Sequence, residues 1–229
     1  MPVSVRAIFT RSLDVLQDAG AVRWPLPELA RWLNDGLRDL CFLKPNATSL
    51  TVTMPLVAGT LQSVPAGYSL MIRANRNMNG AVGGAAITTV TREILDAHRP
   101  LWHDPQRTPF KKAVKHVIAD FADPAAFYVY PGNDGTGQIE VVLSQIPAAI
   151  VALPNLDPND MDAWDRQIPN IQSIYQNCLT DFVLSRAFSK DQQISGAAER
   201  AVAHMSAFNG ALTARLTVEG VANVNTTNG

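Results

Sequence analysis

Apolar residues along this chain recur with a period that changes twice. From Val3 to about Leu43 the spacing is three and four: Val5, Ile8, Phe9, Leu13 and Leu16, then Leu29, Trp32, Leu33, Leu37, Leu40 and Phe42. That spacing puts side chains on one face of a helix. It predicts two amphipathic helices. Ala19-Gly20 closes the first, Trp24-Pro25-Leu26-Pro27 leads into the second, and Lys44-Pro45-Asn46 stops it. Between Ser49 and Pro147 the period falls to two. Leu50 to Met54 and Leu61 to Val64 alternate around a turn at Val57 to Thr60, which reads as a hairpin. Further strands are predicted at Tyr68 to Arg73 (with a continuation to Met78 left open), Ala86 to Thr91, Val114 to Phe121, Ala126 to Tyr130 and Gln138 to Leu143. One helical turn is predicted at Glu93 to Ala97, and "AVGGAA" at Ala81 to Ala86 reads as a turn. After a polar linker, Asn155 to Asp160, the helical period returns. Ile168, Ile171, Tyr175, Cys178, Phe182 and Leu184 form one stripe; Ala198, Ala201, Met205, Phe208, Leu212 and Leu216 form another.

The order helices, strands, helices predicts an α+β chain. A four-helix unit from both chain ends would carry an inserted antiparallel β sandwich or barrel-like region. The boundaries are 1–46 for the first helix pair, 47–154 for the β domain, 155–219 for the second helix pair and 220–229 for an extended tail. Phe9, Leu13, Trp32, Leu33, Ile171, Phe182, Phe208 and Leu212 are the expected core of the helical part.

Composition narrows the function classes. Hydrophobic residues make up 47% of 229 and charged residues 17%, enough apolar surface for a buried core. Nineteen basic against twenty acidic residues give a net charge of −1, and the only basic run read from the sequence is the pair Lys111-Lys112. A free-standing nucleic-acid binder is therefore not expected. Cys41 and Cys178 sit in apolar helical contexts and read as buried thiols. Met1 to Phe9 lacks the features of an export signal, and the longest apolar run, Pro147 to Pro154, is far short of a membrane span. A soluble protein is expected.

Candidate chemistry is sparse. His98 and His103 lie five apart across Pro100, which breaks any shared helical face, so a loop packed by Trp102 is the better reading than zinc. His116 and His204 read as boundary residues, the latter without a partner. No activated nucleophile, P-loop or dinucleotide fingerprint is present. Asp120, Asp123, Asp134 and Glu140 gather around Ala122 to Pro147, where a glycan hydrolase would need two converging carboxylates, yet Asp123-Pro124 and Asn133-Asp134-Gly135 are ordinary turn chemistry. Tyr128 and Tyr130 offer a glycan-binding alternative, although alternation puts them on one strand face and Phe127 and Val129 on the other. No catalytic residue, metal or cofactor is expected. The tail "GVANVNTTNG" carries no charge and, extended, reaches ~30 Å. Its fate is either a frayed end or an arm ordered on a partner.

Three segments carry a resemblance. "LARWLNDGLRDLCFLKPNAT", "VTREILDAHRPLWH" and "KHVIADFADPAAFYVYPG" together resemble tailed-bacteriophage head-to-tail adaptor (connector) proteins of the short-tailed phage type. Arg92, Leu95, Asp96, Pro100, Trp102 and His103 fit one motif of that family. Asp123, Pro124, Phe127, Tyr128, Val129, Tyr130 and Pro131 fit another, with Gly132 where a second proline is common. The resemblance implies a structural virion protein of the phage neck, made in the host cytoplasm and not an enzyme. Its implied partners are the portal protein, the next tail component (nozzle or tail tube) and its own copies in a ring, typically twelve. DNA would pass through without sequence readout, and no membrane would be involved. The tail residues Val221, Asn223, Val224, Asn225, Thr226 and Thr227 are then candidates for the portal or subunit interface.

Overall fold

The computed structural model describes residues 1–120, 122–191 and 194–224. The chain divides into two compact units, residues 1–47 with 147–229, and residues 48–146.

In the first unit, strand β1 (Pro2–Ser4) runs into helix α1 (Val5–Leu16). The Ser4 hydroxyl caps α1 by accepting from the Ala7 amide at 3.2 Å. The helix ends earlier than Gly20: Gln17 takes the left-handed conformation at φ 54° and turns its own N–H back toward Asp14 and Leu13. Helix α2 (Leu26–Leu43) starts after Pro25, with Pro27 in its first turn, where a missing N–H costs nothing. Helices α4 (Gln176–Lys190) and α5 (Ala197–Val224) complete the unit. Helix α4 packs against α1, α2 and α5. Phe9, Leu13, Leu33, Ile171, Phe182, Phe208 and Leu212 share one buried cluster, with Trp32 half-buried against it. Phe42, read as part of the apolar face of α2, is exposed instead.

The stripe beginning at Ile168 is not helical throughout. Strand β10 (Gln167–Gln172) holds Ile168 and Ile171 and pairs antiparallel with β1. Residues three apart on a regular strand face opposite sides. Here the register slips between Pro2 and Val3, and Asn170 sits at φ 61°, so both isoleucines reach the core.

The second unit contains β2 (Ser49–Pro55), β3 (Gly59–Ser63), β4 (Tyr68–Asn79), β5 (Val82–Ala86), β6 (Thr88–Thr89), α3 (Arg92–His98), β7 (His116–Ala119), β8 (Ala126–Asn133) and β9 (Gln138–Gln145). The described strands form two open four-stranded sheets, ordered β2-β9-β4-β5 and β3-β8-β7-β6, not a closed barrel. The first sheet is antiparallel throughout, as expected; the second is mixed, because β6 and β7 run parallel. Met54, Ala74, Ile139, Val141 and Leu143 from one sheet meet Val117, Phe127 and Val129 from the other in a single core.

The expected hairpin around Val57 to Thr60 does not form as a pair. β2 bonds to β9 and β3 to β8, so the turn after β2 and the turn after β8 each carry the chain from one sheet to the other. The glycine-rich segment read as a turn is edge strand β5, exposed along its whole length. A Cβ at Gly83 would lie 2.8 Å from the tip of the Arg76 side chain, a flexible group that can swing aside. The first and last strands of this unit, β2 and β9, are direct neighbours, with Ser49 opposite Ser144.

Helix α5 continues to Val224, so the expected extended boundary at Gly220 falls inside the helix. The remainder of that tail, residues 225–229, lies outside the described residues.

Candidate functional site

The two motif segments, some thirty residues apart, meet in space. Helix α3 presents Arg92 and Asp96 one turn apart, paired at 3.4 Å. The chain then turns, and the fully buried Trp102 donates its indole N–H to Asp96 Oδ1 at 2.8 Å. Trp102 packs with Leu95 and Ile118, and Tyr128 and Tyr130 close over this cluster from the outer face of β8. The Tyr128 ring stands edge-on to Trp102 at 5.8 Å and to His103 at 5.5 Å, and Arg92 lies over it at 5.3 Å. Alternation along β8 thus divides the aromatics as expected: Phe127 and Val129 enter the core between the sheets, Tyr128 and Tyr130 the smaller cluster. Both tyrosines are half-buried packing residues rather than an open platform.

Electrostatics follow from these contacts. The Trp102 hydrogen bond, aided by Arg92, holds the Asp96 carboxyl below its usual range. Burial, then the Arg92 charge, pushes the His103 pKa down, and its Nδ1 bonds Thr60 Oγ1 at 2.8 Å. Burial, then Lys115, lowers His116, which bonds Thr88 Oγ1 at 2.6 Å and stacks on Tyr130. The expectation that His204 lacks a partner is corrected: its Nδ1 lies 2.9 Å from Asp181 Oδ1, and its ring stacks on Phe188.

The carboxylates considered for hydrolysis are each engaged locally. Asp120 accepts from the Ala122 amide and Asp123 from the Ala125 amide. Asp134 accepts from the Thr136 hydroxyl and amide, which lowers its pKa. Glu140 accepts from Arg76 and Asn75, with the same effect. A shallow depression of about 160 Å³ is lined by Arg92, Glu93, Ala119, Asp120, Ala122 and Tyr128. Among the described residues no group of three His, Cys, Asp or Glu is placed to hold a metal. Cys41 and Cys178 are buried thiols.

The sequence marks a turn at Asn133-Asp134-Gly135 but not the way its residues fix it. Asn133, fully buried, donates through Nδ2 to the Lys111 and Lys112 carbonyls and accepts through Oδ1 from Gly135 and Gly137. Gly132 lets the Phe110 ring approach: a Cβ there would be 2.5 Å from it. The Tyr130–Pro131 bond preceding it is cis. Asn77 plays the matching part for Val114, exchanging two hydrogen bonds with its backbone at 2.8 Å. Of the tail candidates, Val221, Asn223 and Val224 fall on the last turn of α5, and Asn225, Thr226 and Thr227 lie outside the described residues.

The chain thus combines two compact units with two motif segments that meet within the second. It belongs to the SU10 adaptor protein family, a phage head-to-tail adaptor family whose sequence model matches residues 4–228. No curated protein matches the chain. Among the described residues, no helix is long and apolar enough to cross a membrane.

Proposed function

We propose that this protein is a structural virion component that joins the portal to the next tail component, a nozzle or tail tube. Copies assemble into a ring, twelve by the resemblance, and DNA passes through its opening without sequence readout. The family match over residues 4–228 carries this reading. Helices α1, α2, α4 and α5 act in it as one four-helix body. The cluster of Arg92, Asp96, Trp102, His103, Tyr128 and Tyr130 is a scaffold that shapes the β unit, with Asp123 and Pro124 leading into β8 and Pro131 within it. Such a protein is made in the host cytoplasm and works through interfaces, without turnover or cofactor.

Val221, Asn223, Val224, Asn225, Thr226 and Thr227 form the portal contact in this reading. One weak arm per copy, multiplied around a symmetric ring, gives stable attachment without a strong single contact. Cryo-microscopy of the purified chain mixed with portal rings of the same phage tests the proposal. A closed ring seated on the portal is expected, and a chain that stays monomeric with portal present overturns it. Removing residues 220–229 should leave the second unit folded and abolish portal attachment; undiminished attachment would remove the tail from the interface.

A further inference from the structure

Charge in this chain is near balance overall but segregated locally. Between α3 and β7, residues 99–115 contain Arg99, Arg107, Lys111, Lys112 and Lys115 against the single acid Asp104. All five cations are exposed. Among the described residues, Arg99, Arg107, Lys111 and Lys115 have no ion-pair partner, while Lys112 Nζ donates to Asn79 and lies near Asp134. Before β10, residues 157–165 contain Asp157, Asp160, Asp162 and Asp165 with no cation among them, all exposed. Arg6 pairs Asp162 at 2.7 Å and reaches Asp165 at 3.6 Å. Asp157 and Asp160 have no ionic partner among the described residues.

Each charged segment is also pinned by a buried tryptophan. Trp102 anchors the basic segment, which is further tied by Lys111 N–H to the Gly132 carbonyl and Lys115 N–H to the Tyr130 carbonyl. Trp164 anchors the acidic one, packing on Phe9 and donating its indole N–H to the Pro158 carbonyl at 2.9 Å. A merely solvated charge run needs no such anchor. Like charges held at fixed positions repel in the isolated chain, and an oppositely charged surface relieves that repulsion. Their preorganisation also spares the ordering cost that docking usually carries.

We propose that the basic segment 99–115 of one copy docks on the acidic segment 157–165 of the next copy. The two surfaces are complementary to each other and neither to itself, so the contact is head-to-tail and propagates around a closed assembly. This rests on the ring reading above and names its subunit contact. Two variants of the full chain test it by sedimentation and native mass spectrometry, alone and with portal rings. One carries Arg107→Glu, Lys111→Glu and Lys115→Glu, which turns its basic segment net acidic so that both its surfaces are acidic; the other carries Asp157→Lys, Asp160→Lys and Asp165→Lys, which turns its acidic segment net basic. Each variant alone should self-associate about tenfold or more weakly than the wild type, and wild-type assembly should weaken as salt rises. An equimolar mixture should assemble, because alternating copies again present opposite charges at every contact. Thermal melts matching the wild type keep a failure to associate from being a failure to fold, and Lys111→Gln with Lys115→Gln serves if the reversal unfolds. A wild-type ring with both variants unaffected, or folded variants whose mixture stays dissociated, overturns the inference and leaves the adaptor reading standing. A basic-segment variant that assembles normally but loses retention on a DNA duplex overturns it in favour of a polyanion contact. A wild type that never assembles sinks both.

Discussion

Asn133 spends its whole side chain on the backbone, two carbonyls on one side and two amides on the other. Removing it strands two carbonyls and two amides, of which the Gly137 amide is buried and the others lie at part-buried positions. Asn133→Ala is expected to cost about 1–3 kcal/mol in chemical denaturation, the range for stranding one buried group, since the other three can reach water. Asn133→Asp should be no better, because it aims a carboxylate at two carbonyl oxygens. Histidines set a pH dependence in the same unit. His103 and His116 both have folded pKa values below the ordinary 6.5. The unfolded chain therefore binds protons more readily, and stability falls as pH drops from neutral through about 6.5. The Asp96, Asp134 and Glu140 carboxyls are held below their ordinary range, so their contribution is lost only at more acidic pH. Thermal melts between pH 7.5 and 5.5 should fall for the wild type and flatten in His103→Gln. An unchanged slope in that variant would remove His103 from the account.

At the scale of elements, close packing of α2 on α4 depends on one glycine. A Cβ at Gly36 would sit 2.8 Å from the Phe182 ring, and Phe182 is itself fully buried against Phe208 at 5.1 Å. Phe182→Ala should cost ~3–5 kcal/mol by leaving a cavity. Gly36→Val should cost about 1–3 kcal/mol by the opposite route, overpacking. Equilibrium unfolding distinguishes them: the double variant should be milder than the sum if the added methyls fill the space the ring vacates. These helices were legible because their apolar positions repeat at three and four over many turns. β10 was not, since a left-handed Asn170 lets isoleucines spaced like a helix face the core from a strand. The strands of the β unit were mostly legible by alternation, but their partners were not. Alternation says which face a residue takes and nothing about which strand lies beside it, so the sheet-crossing turn after β2 read as a hairpin. β5 escaped because it has no buried face to pattern it. The motif cluster was legible as residues but not as a cluster, because Arg92 and Tyr128 meet only once β7 and β8 pair.

For the whole molecule, the second unit owns its core. Met54, Val117, Phe127, Val129 and Val141 belong to residues 48–146 alone. That segment expressed by itself is expected to melt cooperatively with the strand content it has in the full chain. A non-cooperative melt would mean that its core is completed elsewhere. The charge segregation could not be seen in a net charge of −1, which sums one cationic and one anionic segment to nearly nothing.

Ser49 and Ser144 face each other across β2 and β9, and their side-chain neighbourhood is joined by the Thr48 and Ser144 hydroxyls at 3.1 Å. Paired strand residues stand about 5 Å apart, so both ends of a segment of some ninety residues open at one narrow neck. In genetic terms this makes the segment a cassette. A recombination event that deletes or replaces it has only to reconnect two points a few ångströms apart, which a short turn can do. Replacing residues 49–144 with a short Gly-Ser turn should leave the rest of the chain helical by circular dichroism, and loss of that helicity would show that the neck is more than a hinge of convenience.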